Sequence, residues 1–192
     1  MTQGAAPLTP EECSRALELA RASLDHYVRT GMLLKPRQPF TGGLALPCGA
    51  FVSLHTQGGE LRGCIGHMEG EGPLGELILE LAVAAGTRDS RFEPVTESEL
   101  PDLVYEISVL TPMQPIDPAD VTPGVHGLYI RRGRHGGVLL PQVATEWGWD
   151  RETFLDQTCR KAGLPPGAWR EPGTEVLAFT AQVVSEDPSR RA

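Results

Sequence analysis

The sequence predicts an α+β fold with a largely antiparallel sheet flanked by helices, and three observations support this. Three stretches along the 192 residues have apolar side chains at helical spacing, and several shorter ones alternate as strands do. Hairpin patterns outnumber strand–helix–strand units, which favours antiparallel pairing. Hydrophobic residues make up 40% of the chain and charged residues 22%, as in soluble globular proteins with a core of ordinary size.

The first helix is predicted near residues 10–30. Thr9 and Glu12 form a capping box, and the proline that follows Thr9 suits the first helical position. Apolar residues then recur at helical spacing, and Gly31 supplies the C-terminal stop. Residues 1–8 are predicted to be a flexible tail in front of this helix.

A hairpin is predicted over residues 50–66. The stretch 50–55 alternates as a strand, and the glycine-rich stretch 57–60 is typical of a hairpin turn. The returning strand begins at Leu61. Side chains alternate between the two faces of a strand, so Leu61 and Ile65 are predicted to share the core face.

The remaining elements follow from the same signals. Residues 73–86 have helical spacing, and a capping box at Thr96 and Glu99 predicts a short helical turn. A single domain is predicted over residues 9–185, followed by a flexible tail over 186–192. The other predicted elements are a strand over 103–110, strands at 128–131 and 138–140, a helix near 150–162 and a last strand over 176–184.

The returning strand carries the most informative residues of the chain. Arg62 and Cys64 are two residues apart and are predicted to lie side by side, opposite the core face. A neighbouring guanidinium stabilises a thiolate, and Gly63 and Gly66 remove side chains that would block approach to the sulfur. The pattern therefore predicts a reactive thiol. The structural alternative is that Cys64 is a small buried residue and that Arg62 pairs elsewhere.

The other cysteines compete less well for such a role. Cys13 and Cys159 lie on apolar faces of predicted helices, where a thiol is a small hydrophobic group. Cys48 lies in a predicted loop between a proline and a glycine and is the main competitor. No C-x-x-C occurs, so four free thiols in a reducing compartment are predicted, with no tightly bound metal and no cofactor.

Three further polar residues allow two interpretations each. His126 precedes Gly127 and is either a general base or ligand near Cys64, or a turn residue that bonds the backbone. Asp89 and Arg91 either bind a polar substrate or lock the loop after the second helix by a salt bridge.

The charge balance excludes some classes of partner. The chain has 17 basic and 25 acidic residues, a net charge of −8, which argues against general binding to nucleic acid or to an anionic membrane. No stretch approaches the ~20 apolar residues of a membrane span. The first ten residues contain no basic side chain and no apolar run, so no signal peptide is predicted, and a cytoplasmic location follows as the default.

Several blocks of this sequence resemble the AMMECR family, in the same order and over nearly the whole chain. One departure is Ser90, which stands where the family often has proline. The resemblance implies an α+β fold with a larger and a smaller lobe and a site in the cleft between them. The blocks are the hexapeptide 61–66, Asp89–Phe92, Glu106–Leu110, His126–Leu128, Leu139–Val143 and Lys161–Pro165 with Trp169 beyond.

The leading hypothesis is an enzyme or enzyme component that uses Cys64 on a small molecule or a protein. Arg62 would hold the thiolate, and His126 would transfer protons. The residues expected to shape the cleft are Gly63, Gly66, Asp89 and Arg91. The resemblance implies a modification pathway with a Memo-type protein and a radical S-adenosylmethionine (radical SAM) enzyme. The alternative is a non-catalytic binding or scaffold module whose signature strand is a partner surface.

Overall fold

The structure, a computed structural model, describes residues 8–187 and divides into two compact units. The first unit comprises Met1–Leu110 and Gln182–Ala192, and the second comprises Thr111–Ala181. Each unit has its own sheet and its own hydrophobic core. The mixture of helices and antiparallel sheets confirms the predicted α+β class.

The two predicted tails fall largely outside the described residues, which omit 1–7 and 188–192. The last residue of the predicted N-terminal tail, Leu8, and the first residue of the predicted C-terminal tail, Glu186, are both bonded to residues of the first unit. Leu8 is 5% exposed, and its backbone N–H donates to Gln182 Oε1 at 2.6 Å. Glu186 accepts hydrogen bonds from the Arg21 guanidinium and from the backbone N–H of Tyr105. The contacts of the first unit therefore extend to Leu8 and Glu186.

The first unit combines two helices with a four-stranded sheet. The sheet has the strand order β2-β1-β3-β8, and β1 pairs antiparallel with both β2 and β3. Helix α1 begins at the predicted capping box and ends at Gly31, whose φ of 72° is readily adopted by glycine. The elements are α1 (Pro10–Thr30), β1 (Ala50–His55), β2 (Leu61–His67), α2 (Leu74–Thr87), β3 (Val104–Leu110) and β8 (Ala181–Ser185), with 3-10 turns at Gly42–Ala45 and Glu97–Asp102.

Both helices pack on one face of this sheet, which we call the core face. Val52 and Leu54 of β1 and Tyr105 and Ile107 of β3 lie in the same buried cluster as apolar residues of α1 and α2. The intervening side chains of each strand point the other way. We call this second face the thiol face, and define it by four partly exposed residues, namely Ser53, His55, Cys64 and Glu106.

A β-bulge overturns the predicted placement of Leu61. The pairing of β1 with β2 shifts between Leu54 and His55, so that Leu54 pairs with Gly63 but His55 pairs with Leu61. Arg62 is therefore an extra residue that pairs with no residue of β1. Paired residues share a face, so Leu61 joins His55 on the thiol side and is 39% exposed. Ile65, beyond the bulge, packs against the core cluster as predicted.

The second unit is a four-stranded sheet with two helices. Its strand order is β4-β7-β5-β6. Strands β5 and β6 form a hairpin that is longer than predicted, because the turn between them spans only residues 133–134. The elements are β4 (Gln114–Pro115), β5 (Gly127–Arg132), β6 (His135–Leu139), α3 (Pro141–Glu146), α4 (Arg151–Lys161) and β7 (Glu175–Phe179), with 3-10 turns at Pro118–Asp120 and Ala168–Arg170.

The predicted last strand over 176–184 is wrong as a single element. The chain forms β7 in the second sheet and β8 in the first, and the two strands separate at Thr180. Thr180 exchanges hydrogen bonds with Thr111 instead, one from its backbone N–H to Thr111 Oγ1 at 2.8 Å and one from Thr111 N to its carbonyl at 2.9 Å. The apolar pattern runs unbroken across this point, which is why the sequence predicts one strand.

Candidate functional site

Cys64 lies on the thiol face beside Ser53. The two residues are paired across β1 and β2, and Ser53 Oγ lies 3.2 Å from Cys64 Sγ, at hydrogen-bonding distance. The hydroxyl donates to the sulfur in this arrangement. Cys64 is a partly exposed residue of a strand, so it belongs neither to the sealed core nor to a free loop.

The backbone of Cys64 is held by Asp89 and Arg91. Within its sheet β2 is an edge strand, and edge strands have unpaired backbone groups. The N–H of Cys64 donates to Asp89 Oδ2 at 2.8 Å, and its carbonyl accepts from Arg91 Nη2 at 3.5 Å. Asp89 and Arg91 therefore bond Cys64 as a neighbouring strand would. This contact supports the structural interpretation of the Asp-x-Arg pattern.

Asp89 and Arg91 also bind one another. Arg91 donates to both carboxylate oxygens of Asp89, at 2.6 and 2.9 Å, although its own side chain is 56% exposed and that of Asp89 only 5%. The guanidinium of Arg91 lowers the pKa of Asp89 most, and the N–H groups of Cys64 and Arg91 add to the effect against the opposing effect of burial. Asp89 raises the pKa of Arg91 in turn, with a smaller contribution from the Cys64 thiol. A cation is thus held next to Cys64.

Arg62 makes its strongest described contact away from the thiol. Its Nε donates to Glu99 Oε1 at 2.8 Å, and the other oxygen of Glu99 caps the turn at Thr96. The Arg62 hydrogen bond is the main cause that lowers the pKa of Glu99 to about 2. Arg62 Nη1 is buried and has no hydrogen-bond partner among the described residues. The sequence predicts that Arg62 lies beside Cys64 because side chains alternate regularly along a strand. The bulge interrupts this alternation, so the proximity of the two residues stays a prediction.

Both glycines that flank Cys64 are required by packing. A Cβ at Gly63 would lie 2.1 Å from the backbone carbonyl oxygen of Ala85 in α2, and a Cβ at Gly66 would lie 2.1 Å from the Phe51 ring. Only glycine lets β2 approach its neighbours this closely. Their predicted role in keeping the sulfur accessible stays a prediction.

The other three thiols differ from Cys64 in burial. Cys48 is 4% exposed and Cys159 fully buried, and burial raises the pKa of both thiols. Cys48 lies in a loop as predicted, but it competes poorly with Cys64 because this loop packs into the first core. Cys13 is partly exposed, and burial raises its pKa with a further contribution from Glu12.

His126 belongs to the second unit, in the loop before β5. Its Nδ1 accepts from the backbone N–H of Thr122 at 3.1 Å, and its backbone N–H donates to the Thr122 carbonyl at 3.0 Å. These bonds support the interpretation of His126 as a turn residue. Its predicted pairing with Cys64 stays a prediction.

Sequence reasoning missed three residues of the thiol face. Ser53 pairs with Cys64 on one side and with Glu106 on the other, and His55 follows Ser53 on the same face of β1. The alternation of β1 and β3 is visible in the sequence. The register that places these residues beside Cys64 is not, because pairing between distant strands leaves no local signal.

Metal clusters and membrane-spanning helices are both absent from residues 8–187. This range contains no group of three or more His, Cys, Asp or Glu side chains placed to hold a metal ion. None of the helices in this range is both long enough and apolar enough to cross a membrane.

Comparison with known proteins identifies the family of this chain. The model of the AMMECR1 family matches residues 17–184, and the chain belongs to this family. A protein of Methanothermobacter thermautotrophicus is 43% identical over 189 residues, which cover 95% of this chain and 98% of the relative. A protein of Thermococcus gammatolerans is 42% identical over 184 residues, with 91% and 90% covered.

A solved structure agrees with this assignment. The crystal structure of uncharacterized protein PH0010 from Pyrococcus horikoshii superposes with a TM-score of 0.82 at 38% sequence identity. The match covers 94% of both chains. The similarity therefore extends over both units.

Proposed function

We propose that this protein is an enzyme or enzyme component that uses Cys64 as a reactive thiol. One observation carries the proposal. Cys64 is a partly exposed residue of the thiol face whose sulfur is bonded to Ser53, while Asp89 and Arg91 fix its backbone. A nucleophile needs such a combination of access and fixed position.

The neighbours of Cys64 have complementary roles in this proposal. The Ser53 hydroxyl and the Arg91 guanidinium stabilise the thiolate, because a hydrogen bond and a nearby cation both favour the anion. Arg62 adds positive charge at the bulge. The sequence also offers His126, a residue of the second unit, as a candidate for proton transfer. Gly63 and Gly66 set the course of β2 and leave the sulfur accessible.

The wider setting of the reaction comes from the family resemblance. We propose a small molecule or a protein as the substrate, in a modification pathway that includes Memo-type and radical SAM proteins. We also propose a cytoplasmic location. Free thiols persist in that compartment, and all four cysteines of this chain are free.

Competitive alkylation tests the proposal. The folded protein is treated with a limiting amount of iodoacetamide across a pH series, and labelled peptides are quantified by mass spectrometry. We expect Cys64 to be labelled first. Cys13 is the matched control, because it is also partly exposed but lies on α1 without the neighbours of Cys64. Labelling of Cys64 only after unfolding would refute the proposal.

The alternative is a non-catalytic binding or scaffold module, with the signature strand as a partner surface. It is favoured by the packing of Gly63 and Gly66, which explains two signature residues without any chemistry. A Cys64→Ala variant separates the two functions. A binding module keeps its partner when the sulfur is removed, whereas a thiol enzyme loses its activity.

A further inference from the structure

We propose that His55 is the general base that takes the proton from Cys64. This inference rests on the proposed function, because it assigns a role to a second residue of the same site. The sequence alone offers His126 for this role. The register of the first sheet points instead to a histidine on the strand next to Cys64.

The pairing of three strands places the relevant groups. Ser53 of β1 lies opposite Cys64 on β2 and opposite Glu106 on β3. His55 is two residues further along β1 and therefore on the same face as Ser53. It is a diagonal neighbour of Cys64 on one side and of Glu106 on the other. Diagonal neighbours are about 7–8 Å apart at the backbone, within reach of an aromatic side chain.

The imidazole of His55 is not engaged elsewhere in the described structure. Its Nε2 is buried and has no hydrogen-bond partner among residues 8–187. A buried polar atom without a partner is costly, so it is an exception that requires an explanation. A general base whose proton donor approaches only during the reaction provides one, because such bonds are often long in the free enzyme.

The bulge in β2 supports this assignment. It lies opposite Leu54 and His55, directly beside the proposed pair. Bulges increase the local twist and re-aim side chains, and they are frequent next to active sites. Here the bulge also turns Leu61 toward the side of His55, where an apolar side chain helps to exclude water from the imidazole.

Glu106 completes the arrangement as a positioning residue. It is partly exposed, and no hydrogen bond or ion pair of its carboxylate is seen among the described residues. A carboxylate beside a histidine orients the imidazole and stabilises its charged form. The ionisable groups on the two strands that flank β1 are Arg62, Cys64 and His67 on β2 and Tyr105 and Glu106 on β3. Of these, Cys64 and Glu106 lie on the thiol face with His55, and Arg62 is already paired with Glu99.

The proton-transfer step conserves both atoms and charge. The S–H bond of Cys64 breaks and a new N–H bond forms at His55, so that thiol and imidazole become thiolate and imidazolium. The sulfur electron pair then forms a bond to an electrophilic carbon. With iodoacetamide as the probe, the carbon–iodine bond breaks and iodide leaves, while the proton remains on the imidazole until it is released to water.

The test is the pH dependence of Cys64 alkylation in the full chain. We expect His55→Gln to slow labelling at neutral pH by about a hundredfold, which is the lower end of general-base effects. At high pH the rates should converge with that of the wild type, because the thiol then ionises without help. His67→Gln is the matched control, since His67 is an exposed histidine of β2 itself. It should leave the profile unchanged.

The outcomes separate this inference from the proposed function. If Cys64 reacts rapidly in both wild type and His55→Gln, with the same pH profile, the thiol enzyme stands and the role of His55 is refuted. The same conclusion follows if His126→Gln produces the shift instead. If wild-type Cys64 fails to react, the proposed function itself is refuted. Circular dichroism confirms that each variant is folded, and His55→Asn provides a second variant at the same position.

Discussion

The two faces of the first sheet differ in how completely packing explains them. Four residues of the core face are fully buried and lie in one apolar cluster with residues of the helices, namely Val52, Leu54, Tyr105 and Ile107. On the thiol face the same strands carry a thiol, a hydroxyl, an imidazole and a carboxylate. Of these four groups only Cys64 and Ser53 are bonded to each other in the described structure.

This difference identifies the residues whose presence folding does not require. Apolar side chains on the core face stabilise the fold in proportion to their buried area. Partly buried polar groups without partners cost stability, and proteins keep such groups chiefly at functional sites. The comparison therefore predicts that core-face changes alter stability, whereas thiol-face changes alter reactivity.

The largest effect is expected on the core face, from Gly63→Ala. The new Cβ would lie 2.1 Å from the Ala85 carbonyl oxygen, a backbone atom that cannot move without displacing α2. We expect the free energy of unfolding, measured by chemical denaturation, to fall by about 3 kcal/mol, the upper range for overpacking. Gly72→Ala is the control, because a Cβ at that position would meet nothing within 4 Å. A loss equal to that of the control would contradict close packing of β2 on α2.

A smaller loss is expected at the edge of β2, from Asp89→Asn. The amide keeps the shape of the carboxylate but loses its charge, so the bonds to Arg91 and to the Cys64 N–H weaken. We expect a loss of about 2 kcal/mol in the free energy of unfolding, because a nearly buried group is left with poorer partners. Asp102→Asn, in an exposed contact with Gln57, should change stability by less than about 0.5 kcal/mol. Equal effects of the two variants would mean that Asp89 does not hold the strand.

Acid should destabilise the first unit by protonating two carboxylates, those of Asp89 and Glu99. The pKa values of Asp89 and Glu99 are lowered in the folded protein, chiefly by hydrogen bonds from Arg91 and Arg62 respectively. The ionised form therefore stabilises the fold, fully at pH values above the unfolded pKa of about 4. This contribution is lost as the pH falls from about 4 through the pKa of each carboxyl group in the folded protein. The folded pKa of Glu99 is about 2. Denaturant titrations at pH 6 and pH 3 should show a smaller acid-induced loss for Glu99→Gln than for the wild type. An unchanged loss would show that Glu99 is not coupled to folding.

The fold was largely predictable because its signals are local. The capping box at Thr9, the C-terminal stop at Gly31 and the alternation of 50–55 each depend on neighbouring residues, and the structure confirms these elements. The errors occur where distant contacts decide. The bulge at Arg62 depends on how β2 meets β1, and the division of 176–184 depends on two separate sheets. Helix α3 has only six residues, too few for a periodic pattern.

The candidate site was predictable only in part, for the same reason. Cys64 and the Asp89–Arg91 pair were found because they lie in short recognisable motifs. His55 and Glu106 were overlooked because each looks like an ordinary strand residue until the register is known. Cys48 was the main competitor of Cys64 because its proline and glycine neighbours indicate a loop, and the sequence does not show that this loop is buried.

The smallest predicted effect concerns the cation that supports the thiolate. The sequence favours Arg62 for this role, but the structure pairs Arg62 with Glu99. Arg91 instead donates a hydrogen bond to the carbonyl of Cys64, and the Cys64 thiol contributes to the raised pKa of Arg91. We expect Arg91→Gln to slow Cys64 alkylation at neutral pH by about threefold, less than 1 kcal/mol, as for partly exposed charges. Arg62→Gln should have a smaller effect, because the charge it removes is already neutralised by Glu99.

Salt provides the check on this assignment. A through-space effect of the Arg91 charge is screened as the Debye length falls from about 8 Å at physiological ionic strength to about 3 Å at 1 M. The difference between wild type and Arg91→Gln should therefore shrink in about 1 M potassium chloride. Arg91→Lys keeps the charge but not the paired hydrogen bonds to Asp89, so it should react at a rate between those of Arg91→Gln and the wild type. A salt-independent loss in Arg91→Gln would mean that Arg91 acts by holding the backbone. A larger effect of Arg62→Gln would return the role to the residue that the sequence indicated.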